Sequence, residues 1–257
     1  MNNLTFTGLH RKALVAYVTI GYPSIEATLK VVPLLAASGC DLIELGIPFS
    51  DPLADGPVIQ NASYQALRQG ITPQKCLDIA AQLSSKVKIP LAFMTYFNPV
   101  LHFGLEKFCR ACSASGIEGL IVPDLPPEEG LELETLSQQN GIDLIYLLSP
   151  ASTAERIKTV SEKSRGFIYL VSVTGVTGAR KELPATLNGF VAEVKKTARI
   201  PVFVGFGISN AALARQATEI ADGVIVGSRI IQLMESDSSL RSVSNFVTEL
   251  RTALDEK

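Results

Sequence analysis

Short apolar runs rich in branched residues recur along the chain, and longer segments of helical character separate them. Most runs are almost continuously apolar, which is typical of parallel strands covered on both faces. We therefore predict eight strands, at Ala13–Ile20, Asp41–Gly46, Pro90–Phe97, Gly119–Pro123, Ile142–Leu148, Gly166–Ser172, Pro201–Gly205 and Gly223–Val226.

Capping residues predict where the intervening helices begin and end. Proline and acidic residues are typical of a first helical turn, and glycine often follows the last one. The predicted starts are Pro23-Ser24 (a helix toward Ala37), Thr72-Pro73, Pro126–Glu129 and Ser152–Glu155, and the predicted ends precede Gly39, Gly116 and Gly141.

Eight strands alternating with helices predict the α/β class and a closed (β/α)8 TIM barrel, with a doubly wound open sheet as the alternative. No stretch resembles a linker, so we predict a single domain over residues 1–257. The interval between Gly46 and Pro90 is long enough to add an extra helix between strands 2 and 3.

The composition and charge of the chain argue against several classes of function. Hydrophobic residues make up 47% of the chain, and the formal net charge of -2 gives no electrostatic case for binding nucleic acid or an anionic membrane. We find no apolar run of membrane-spanning length and no signal-peptide pattern, so we expect a cytoplasmic protein. Cys109 and Cys112 have helical spacing without a second pair, and the two histidines are isolated, so we predict no metal site.

Glu44 interrupts an otherwise apolar strand. Successive side chains of a strand point to opposite faces, so Ile43 and Leu45 share one face, which suits the side toward the helices. The other face, with Leu42, Glu44 and Gly46, is then expected to line the barrel interior, with Glu44 near the carboxyl end of the strand. Active sites of such barrels lie at that end. Apolar surroundings raise a carboxyl pKa, which suits a general acid/base; a structural glutamate satisfied by backbone or tyrosine partners is the alternative.

Three aspartates follow strand ends. Asp51 and Asp55 lie in a proline-rich loop that restricts their freedom, although either alone fits a turn residue. Asp124 follows the fourth strand and fits a site carboxylate or a helix cap equally well.

Two glycine pairs predict a phosphate site. Residues 204–209 and 225–229 place glycines at the ends of strands 7 and 8, before predicted helices, where backbone N–H groups can approach an anion; ordinary tight turns are the alternative. Residues 172–180, rich in glycine and small polar residues, suit a mobile lid that could also contact the phosphate; a flexible loop without a role is the alternative. No predicted strand ends in a lysine for Schiff-base chemistry, so the substrate of a carbon–carbon cleavage would have to supply its own electron sink.

Residues 44–57 read Glu-Leu-Gly-Ile-Pro-Phe-Ser-Asp-Pro-Leu-Ala-Asp-Gly-Pro and resemble the signature of the tryptophan synthase alpha chain family. Matching segments follow in family order at residues 95–99, 123–126, 175–178, 205–209 and 227–228. The resemblance implies a (β/α)8 lyase that cleaves indole-3-glycerol phosphate to indole and glyceraldehyde 3-phosphate. It implies that Glu44 protonates indole C3 and assists proton transfer at the glycerol hydroxyl, and that Asp55 accepts a hydrogen bond from the indole N–H.

The resemblance also implies binding residues and a partner. The substrate-pocket residues are Tyr17, Tyr96, Asp124, Tyr169 and Thr177, and the phosphate residues are Gly178, Phe206, Gly207, Gly227 and Ser228. The expected partner is a beta subunit that contains pyridoxal phosphate, in an alpha2beta2 complex; the alpha chain itself is expected to carry no cofactor. The positions at or near the contact are Asp51, Pro52, Asn98 and Pro126.

Two positions depart from many family members, which have phenylalanine at Tyr17 and aspartate at Tyr22. Both leave the substrate affinity open. A phosphosugar isomerase on the same barrel, or a catalytically silent allosteric partner of the beta subunit, are the competing hypotheses.

Overall fold

The computed structural model describes Leu4, Phe6 and residues 11–171, 186–205 and 207–256. Within these ranges, nine parallel strands form one sheet in the order β5-β4-β3-β2-β1-β9-β8-β7-β6. The strands are β1 (Ala13–Thr19), β2 (Leu42–Gly46), β3 (Leu91–Met94), β4 (Gly119–Ile121), β5 (Asp143–Ile145), β6 (Leu147–Leu148), β7 (Ile168–Val171), β8 (Val202–Gly205) and β9 (Gly223–Val226).

Tyr146 divides the fifth predicted strand in two. β5 pairs with β4, whereas β6 pairs with β7. Between them the Tyr146 N–H donates to Ser164 Oγ (3.1 Å). Because β5 and β6 are both the ends of the sheet order and consecutive in the chain, the sheet curls into a nearly closed barrel. The barrel prediction is confirmed with nine strands instead of eight, and the open sheet is excluded; a single domain over residues 1–257 stays a prediction.

Helices connect the strands on the outside. They are α1 (Ile25–Ala37), α2 (Pro57–Arg68), α3 (Pro73–Ser84), α4 (Phe97–Phe103), α5 (Leu105–Ala114), α6 (Leu131–Gln139), α7 (Ala154–Lys163), α8 (Thr186–Thr197), α9 (Ala211–Ile220), α10 (Ser228–Ser236) and α11 (Arg241–Asp255). Ser24, Thr72 and Thr153 cap α1, α3 and α7 with their side chains, as predicted. Both α2 and α3 lie between β2 and β3, which confirms the extra helix.

Two predicted boundaries depart most from the structure, while several others shift by only one or two residues. The helix start at Pro126–Glu129 is wrong because α6 begins only at Leu131; the four residues form a turn closed by a hydrogen bond from the last N–H to the first carbonyl oxygen (3.0 Å). The third strand stops at Met94 rather than Phe97, because Phe97 already begins α4.

Buried apolar residues form two layers, one between the strands and helices and one inside the barrel. Ile43 and Leu45 belong to the outer layer and Leu42 to the inner one, so strand alternation places Glu44 inside, as predicted. At the opposite end of β7 and β8, Phe167 and Phe203 stack at 4.5 Å between ring centroids and fill the interior.

Neither membrane spans nor metal clusters are found in the part of the chain that the structure describes. No helix there is both long and apolar enough to cross a membrane. Cys109 and Cys112 are buried free thiols on α5, and no group of three or more metal-ligating side chains occurs among the described residues.

Candidate active site

A cavity opens at the carboxyl ends of the strands, and several sequence-predicted site residues meet there. Six of them line its wall: Tyr17, Asp55, Tyr169, Gly207, Gly227 and Ser228. They come from β1, β7, the loop after β2, and the turns after β8 and β9. Residues that are far apart in the chain therefore meet at one end of the barrel, where active sites of this architecture are found.

Glu44 is fully buried beside this cavity. Its backbone is in register with Tyr17 on the neighbouring strand, and its side chain has 0% exposure. Neither carboxyl oxygen has a hydrogen-bond partner among the described residues. Loss of hydration disfavours the charged form and raises the pKa of Glu44 to about 8. The side chain is therefore mostly a neutral acid at pH 7.

Asp55 lies on a loop that is fixed by its own hydrogen bonds. The Asp55 N–H donates to the Pro52 carbonyl oxygen (3.0 Å), and Gln60 Nε2 donates to the Asp55 carbonyl oxygen (2.9 Å). Gln60 belongs to α2, which begins at Pro57 directly after the loop. Proline at the first helical position needs no N–H partner, so the sequence makes a short, ordered path from β2 to α2.

Tyr96 holds the Asp55 carboxylate. Its hydroxyl donates to Asp55 Oδ2 (3.0 Å) and accepts from the Ala54 N–H (3.0 Å). Its ring stacks on Phe49 at 5.3 Å between centroids. Burial raises the pKa of Asp55 to about 6, while the hydrogen bond from Tyr96 lowers it. Asp55 is therefore mainly ionised at pH 7, the opposite state to Glu44.

Glycines on neighbouring strands make room for two tyrosines. A Cβ at Gly46 would lie 2.2 Å from the Tyr17 hydroxyl oxygen, and one at Gly205 would lie 2.5 Å from that of Tyr169. Each ring therefore lies against a strand position that only glycine can occupy. Burial is the main reason that the pKa of both phenols lies well above its usual value, followed by the charge of Asp55 for Tyr17 and of Glu44 for Tyr169. Both hydroxyls consequently stay protonated at neutral pH.

The glycine turns after β8 and β9 line the same cavity. Gly207 has φ 85°, a conformation that favours glycine. Gly227 is the residue before α10, and Ser228 is its first residue. The free N–H groups at the start of a helix favour an anion, so this wall suits a phosphate.

The remaining predicted residues do not join the cavity wall. Asp124 is exposed, and its Oδ1 accepts from the Phe97 N–H at the start of α4 (2.9 Å), so the structure gives it the capping geometry. Thr177, Gly178 and Phe206 lie outside the described residues. The four predicted contact positions lie on loops and a helix around the same end of the barrel, and they are Asp51, Pro52, Asn98 and Pro126.

Sequence reasoning missed several residues of the wall. Its apolar part includes Ile59 from α2, together with Met94 and Ile225 from the barrel interior. Its polar part includes Ser209, Arg229 and Gln232. Strand alternation could have found Met94 and Ile225, and helical spacing from Ser228 could have found Gln232.

The similarity of this chain to known proteins extends over almost its whole length. The family model for the tryptophan synthase alpha chain matches residues 6–256. The tryptophan synthase alpha chain of Dehalococcoides mccartyi is 57% identical over 245 residues, which cover 95% of this chain and 96% of the relative. That of Geobacter sulfurreducens is 46% identical over 247 residues, or 95% and 94% of the two chains. A structure of Mycobacterium tuberculosis tryptophan synthase superimposes with a TM-score of 0.90 at 39% identity, covering 96% of this chain and 94% of that chain.

Proposed function

Because this chain belongs to the tryptophan synthase alpha chain family, we propose that it is a carbon–carbon lyase of tryptophan biosynthesis that cleaves indole-3-glycerol phosphate to indole and glyceraldehyde 3-phosphate, with Glu44 and Asp55 as its catalytic residues. The observation that carries this assignment is the pair of buried carboxyls at the carboxyl end of the barrel, where burial raises the pKa of Glu44 to about 8 and that of Asp55 to about 6. Such separated pKa values identify an acid and an anion within one site.

Glu44 supplies the proton. Its neutral carboxyl donates to C3 of the indole ring, which converts the ring into an iminium. The bond from C3 to the glycerol chain then breaks, and its electron pair returns to the ring while the glycerol hydroxyl gives its proton to the Glu44 carboxylate. The acid is regenerated, indole carries the new C3 proton, and the glycerol chain leaves as an aldehyde.

Asp55 stabilises the positive charge that develops on the ring. Its Oδ1 has no hydrogen-bond partner among the described residues and can accept from the indole N–H, while Oδ2 is held by Tyr96. A charge placed before the reaction begins lowers the barrier without reorganisation. Because the protonated indole is itself the electron sink, the scheme assigns no cofactor to this chain.

The rest of the cavity binds the substrate. Tyr17 and Tyr169 contribute aromatic walls, and Gly207, Gly227 and Ser228 bind the phosphate with backbone N–H groups and a hydroxyl. The resemblance adds Tyr96, Asp124, Thr177, Gly178 and Phe206 to the binding residues. For Asp124 this role requires release of the Phe97 N–H, or sharing of its other oxygen.

We further propose that the cavity end of the barrel docks a beta subunit that contains pyridoxal phosphate, as an alpha2beta2 complex. Large apolar side chains are exposed there: Leu53 at 92%, Leu101 at 56% and Leu131 at 68%. All three follow the carboxyl ends of neighbouring strands, β2, β3 and β4. They lie near the predicted contact positions in the chain, and water-exposed leucines favour burial against a partner. A cytoplasmic location stays a prediction from the sequence.

Indole release from indole-3-glycerol phosphate tests the assignment. We expect slow release by the purified chain and faster release when a beta subunit is added. Glu44→Gln should lower turnover by at least roughly 100-fold with folding preserved, the usual scale for loss of a general acid. The matched control is Glu249→Gln, since Glu249 is exposed on α11, away from the residues named for docking.

The same assay separates the competing hypotheses. Near-normal turnover in Glu44→Gln would remove Glu44 from the mechanism, and no release by the wild type, alone or with its partner, would leave the silent-partner hypothesis. An isomerase should prefer simple sugar phosphates over indole-3-propanol phosphate. Asp55→Asn should lose most of its turnover yet still bind indole-3-propanol phosphate; loss of that binding would make Asp55 a pocket-organising residue instead.

A further inference from the structure

The cavity has one positively charged residue that the scheme above does not use. Among the described residues on its wall, Asp55 and Arg229 are the charged ones. Asp55 is the anion assigned to the reacting ring. Arg229 comes directly after Ser228, beside the glycine turn assigned to the phosphate. The described wall therefore includes an acidic residue from the loop after β2 and a basic residue from the start of α10.

Helical geometry explains why Arg229 shares this wall with a second polar residue. α10 begins at Ser228, and Gln232 follows Ser228 by four positions and Arg229 by three. Residues three and four apart lie on one face of a helix. All three residues line the cavity, so the start of α10 brings residues with a hydroxyl, a guanidinium and an amide to the same wall.

The Arg229 guanidinium is available to a ligand. The residue is exposed, and it forms no ion pair or hydrogen bond with any described residue. Other arginines, such as Arg215 and Arg251, are held by acidic side chains. A planar guanidinium with five N–H donors matches the geometry of a phosphate better than any other side chain.

We propose that Arg229 is a phosphate-binding and phosphate-steering residue, which sets the preference of this site for phosphorylated over neutral substrates. The inference rests on the proposed function for the identity of the ligand, and it deepens that function by adding a cation to a subsite otherwise built from backbone N–H groups and a serine. Arg229 takes no part in breaking the carbon–carbon bond, so it affects substrate binding and association rather than turnover.

Because the guanidinium is exposed, its effect is moderate. An exposed ion pair and a charge-assisted hydrogen bond together correspond to roughly a three- to tenfold change in affinity. Salt screens such a contact, so the affinity of the wild type should also fall more steeply with ionic strength than that of a variant without the charge.

The chain contains six tyrosines but no tryptophan, so indole fluorescence excited at wavelengths longer than tyrosine absorption reports ligand binding selectively. We would titrate wild type, Arg229→Gln and Arg229→Lys with indole-3-propanol phosphate and with unphosphorylated indole-3-propanol, at low and high ionic strength. Arg199→Gln is the matched control, because Arg199 is also exposed but does not line the cavity. KM and kcat for indole release would be measured in parallel.

Arg229→Gln should weaken binding of the phosphorylated ligand by roughly three- to tenfold and flatten its salt dependence. In Arg229→Gln, the affinity for the neutral ligand and kcat should stay within about twofold of wild type, while KM should rise. Arg229→Lys should retain part of the affinity for the phosphorylated ligand, and Arg199→Gln should match wild type. Equal loss for both ligands, or no loss for the phosphorylated one, would overturn the inference.

The proposed function fails by a different signature. If the wild type released no indole from indole-3-glycerol phosphate but Arg229→Gln still weakened binding of glycerol 3-phosphate selectively, the lyase assignment would fall and the phosphate role of Arg229 would stand. If the wild type released indole and Arg229→Gln kept an unchanged KM, only the Arg229 inference would fall.

Discussion

Replacing Glu44 by glutamine should change how the stability of this protein depends on pH. Burial raises the pKa of Glu44 to about 8, whereas a glutamate in an unfolded chain titrates near 4.3. Between these pH values the folded state binds more protons than the unfolded state. The contribution of Glu44 to stability is therefore complete below pH of about 4.3 and is lost as the pH rises through about 8.

The size of the effect follows from the two pKa values. One unit corresponds to about 1.4 kcal/mol, so ionising the buried carboxyl removes up to about 5 kcal/mol across the whole interval, of which about 3 to 4 kcal/mol is already lost at pH 7. Protein domains are stable by only about 5 to 15 kcal/mol, so a loss of this size is easily measured.

Urea unfolding of wild type and Glu44→Gln at several pH values between about 5 and 9 isolates this contribution. Glutamine does not titrate, so any fixed gain or loss from its amide is the same at every pH. The difference in unfolding free energy between the two proteins should shift in favour of the variant by roughly 4 kcal/mol over this range. Glu249→Gln, which replaces an exposed carboxyl on α11, is measured alongside as the matched control.

A difference for Glu44→Gln that does not change with pH over this range would refute the reasoning. It would mean that Glu44 is ionised in the folded protein at neutral pH, and the role of Glu44 as a proton donor to indole C3 would lose its physical basis. A slope of the opposite sign would mean that the folded state stabilises the carboxylate, which contradicts the absence of hydrogen-bond partners for Glu44 among the described residues.

The two carboxyls predict a bell-shaped pH profile of kcat/KM with limbs near pH 6 and pH 8, because Asp55 acts in its ionised form and Glu44 in its protonated form. The phosphate of the ligand also titrates in this range. Measuring the binding of indole-3-propanol phosphate at the same pH values separates its titration from the acid limb. Tyr96→Phe should move the acid limb up by roughly one pH unit, because the hydroxyl of Tyr96 lowers the pKa of Asp55; an unmoved limb would belong to another group. Gly46→Ala should lower the unfolding free energy by roughly 1 to 3 kcal/mol in urea titrations, because its Cβ would meet the buried Tyr17 ring. Gly189→Ala on α8, where a Cβ meets nothing within 4 Å, is the control and should leave stability unchanged or raise it by up to about 1 kcal/mol; equal losses in both variants would contradict the packing argument.

Periodicity and capping residues were sufficient for the order of strands and helices but not for every boundary. The run from 142 to 148 is apolar apart from Asp143, and nothing local marks its break at Tyr146. The break depends on a hydrogen bond to Ser164, 18 residues away. The false helix start at Pro126–Glu129 has the composition of a first turn, yet the chain closes a turn there before α6 begins.

The site could be predicted in part for the same reason. Alternation along β2 was enough to turn Glu44 inward, because that face is decided by its immediate neighbours. The contact between Asp55 and Tyr96 joins residues 41 positions apart, and the one between Asp124 and the Phe97 N–H joins residues 27 apart. Spacing in the sequence contains no information about either; the family resemblance supplied Tyr96, and it did not reveal that Asp124 caps α4.

The two ends of the barrel divide stability and chemistry between them. At the amino end, Phe6 packs edge-on against Phe203 at 5.1 Å, and Leu4 is held by a hydrogen bond from its N–H to Asp143 (2.8 Å), so apolar burial is dense and polar groups are paired. At the carboxyl end, Glu44 is fully buried and its carboxyl oxygens have no hydrogen bonds to the described residues. Apolar packing at one end offsets the free energy that an unsatisfied carboxyl costs at the other.

The burial that raises the pKa of Glu44 also destabilises the protein when Glu44 ionises. The same loss of hydration that keeps the carboxyl protonated at neutral pH destabilises the fold whenever that proton leaves, and the reaction itself requires the proton to leave. A hydrogen-bond donor placed beside Glu44 would stabilise the protein above pH of about 7, yet it would lower the pKa of Glu44 and remove the proton that indole C3 needs. Substitutions around Glu44 that make the protein more stable at high pH should therefore also lower its turnover. Glu44→Gln is the extreme case, with the largest gain in stability and the lowest activity.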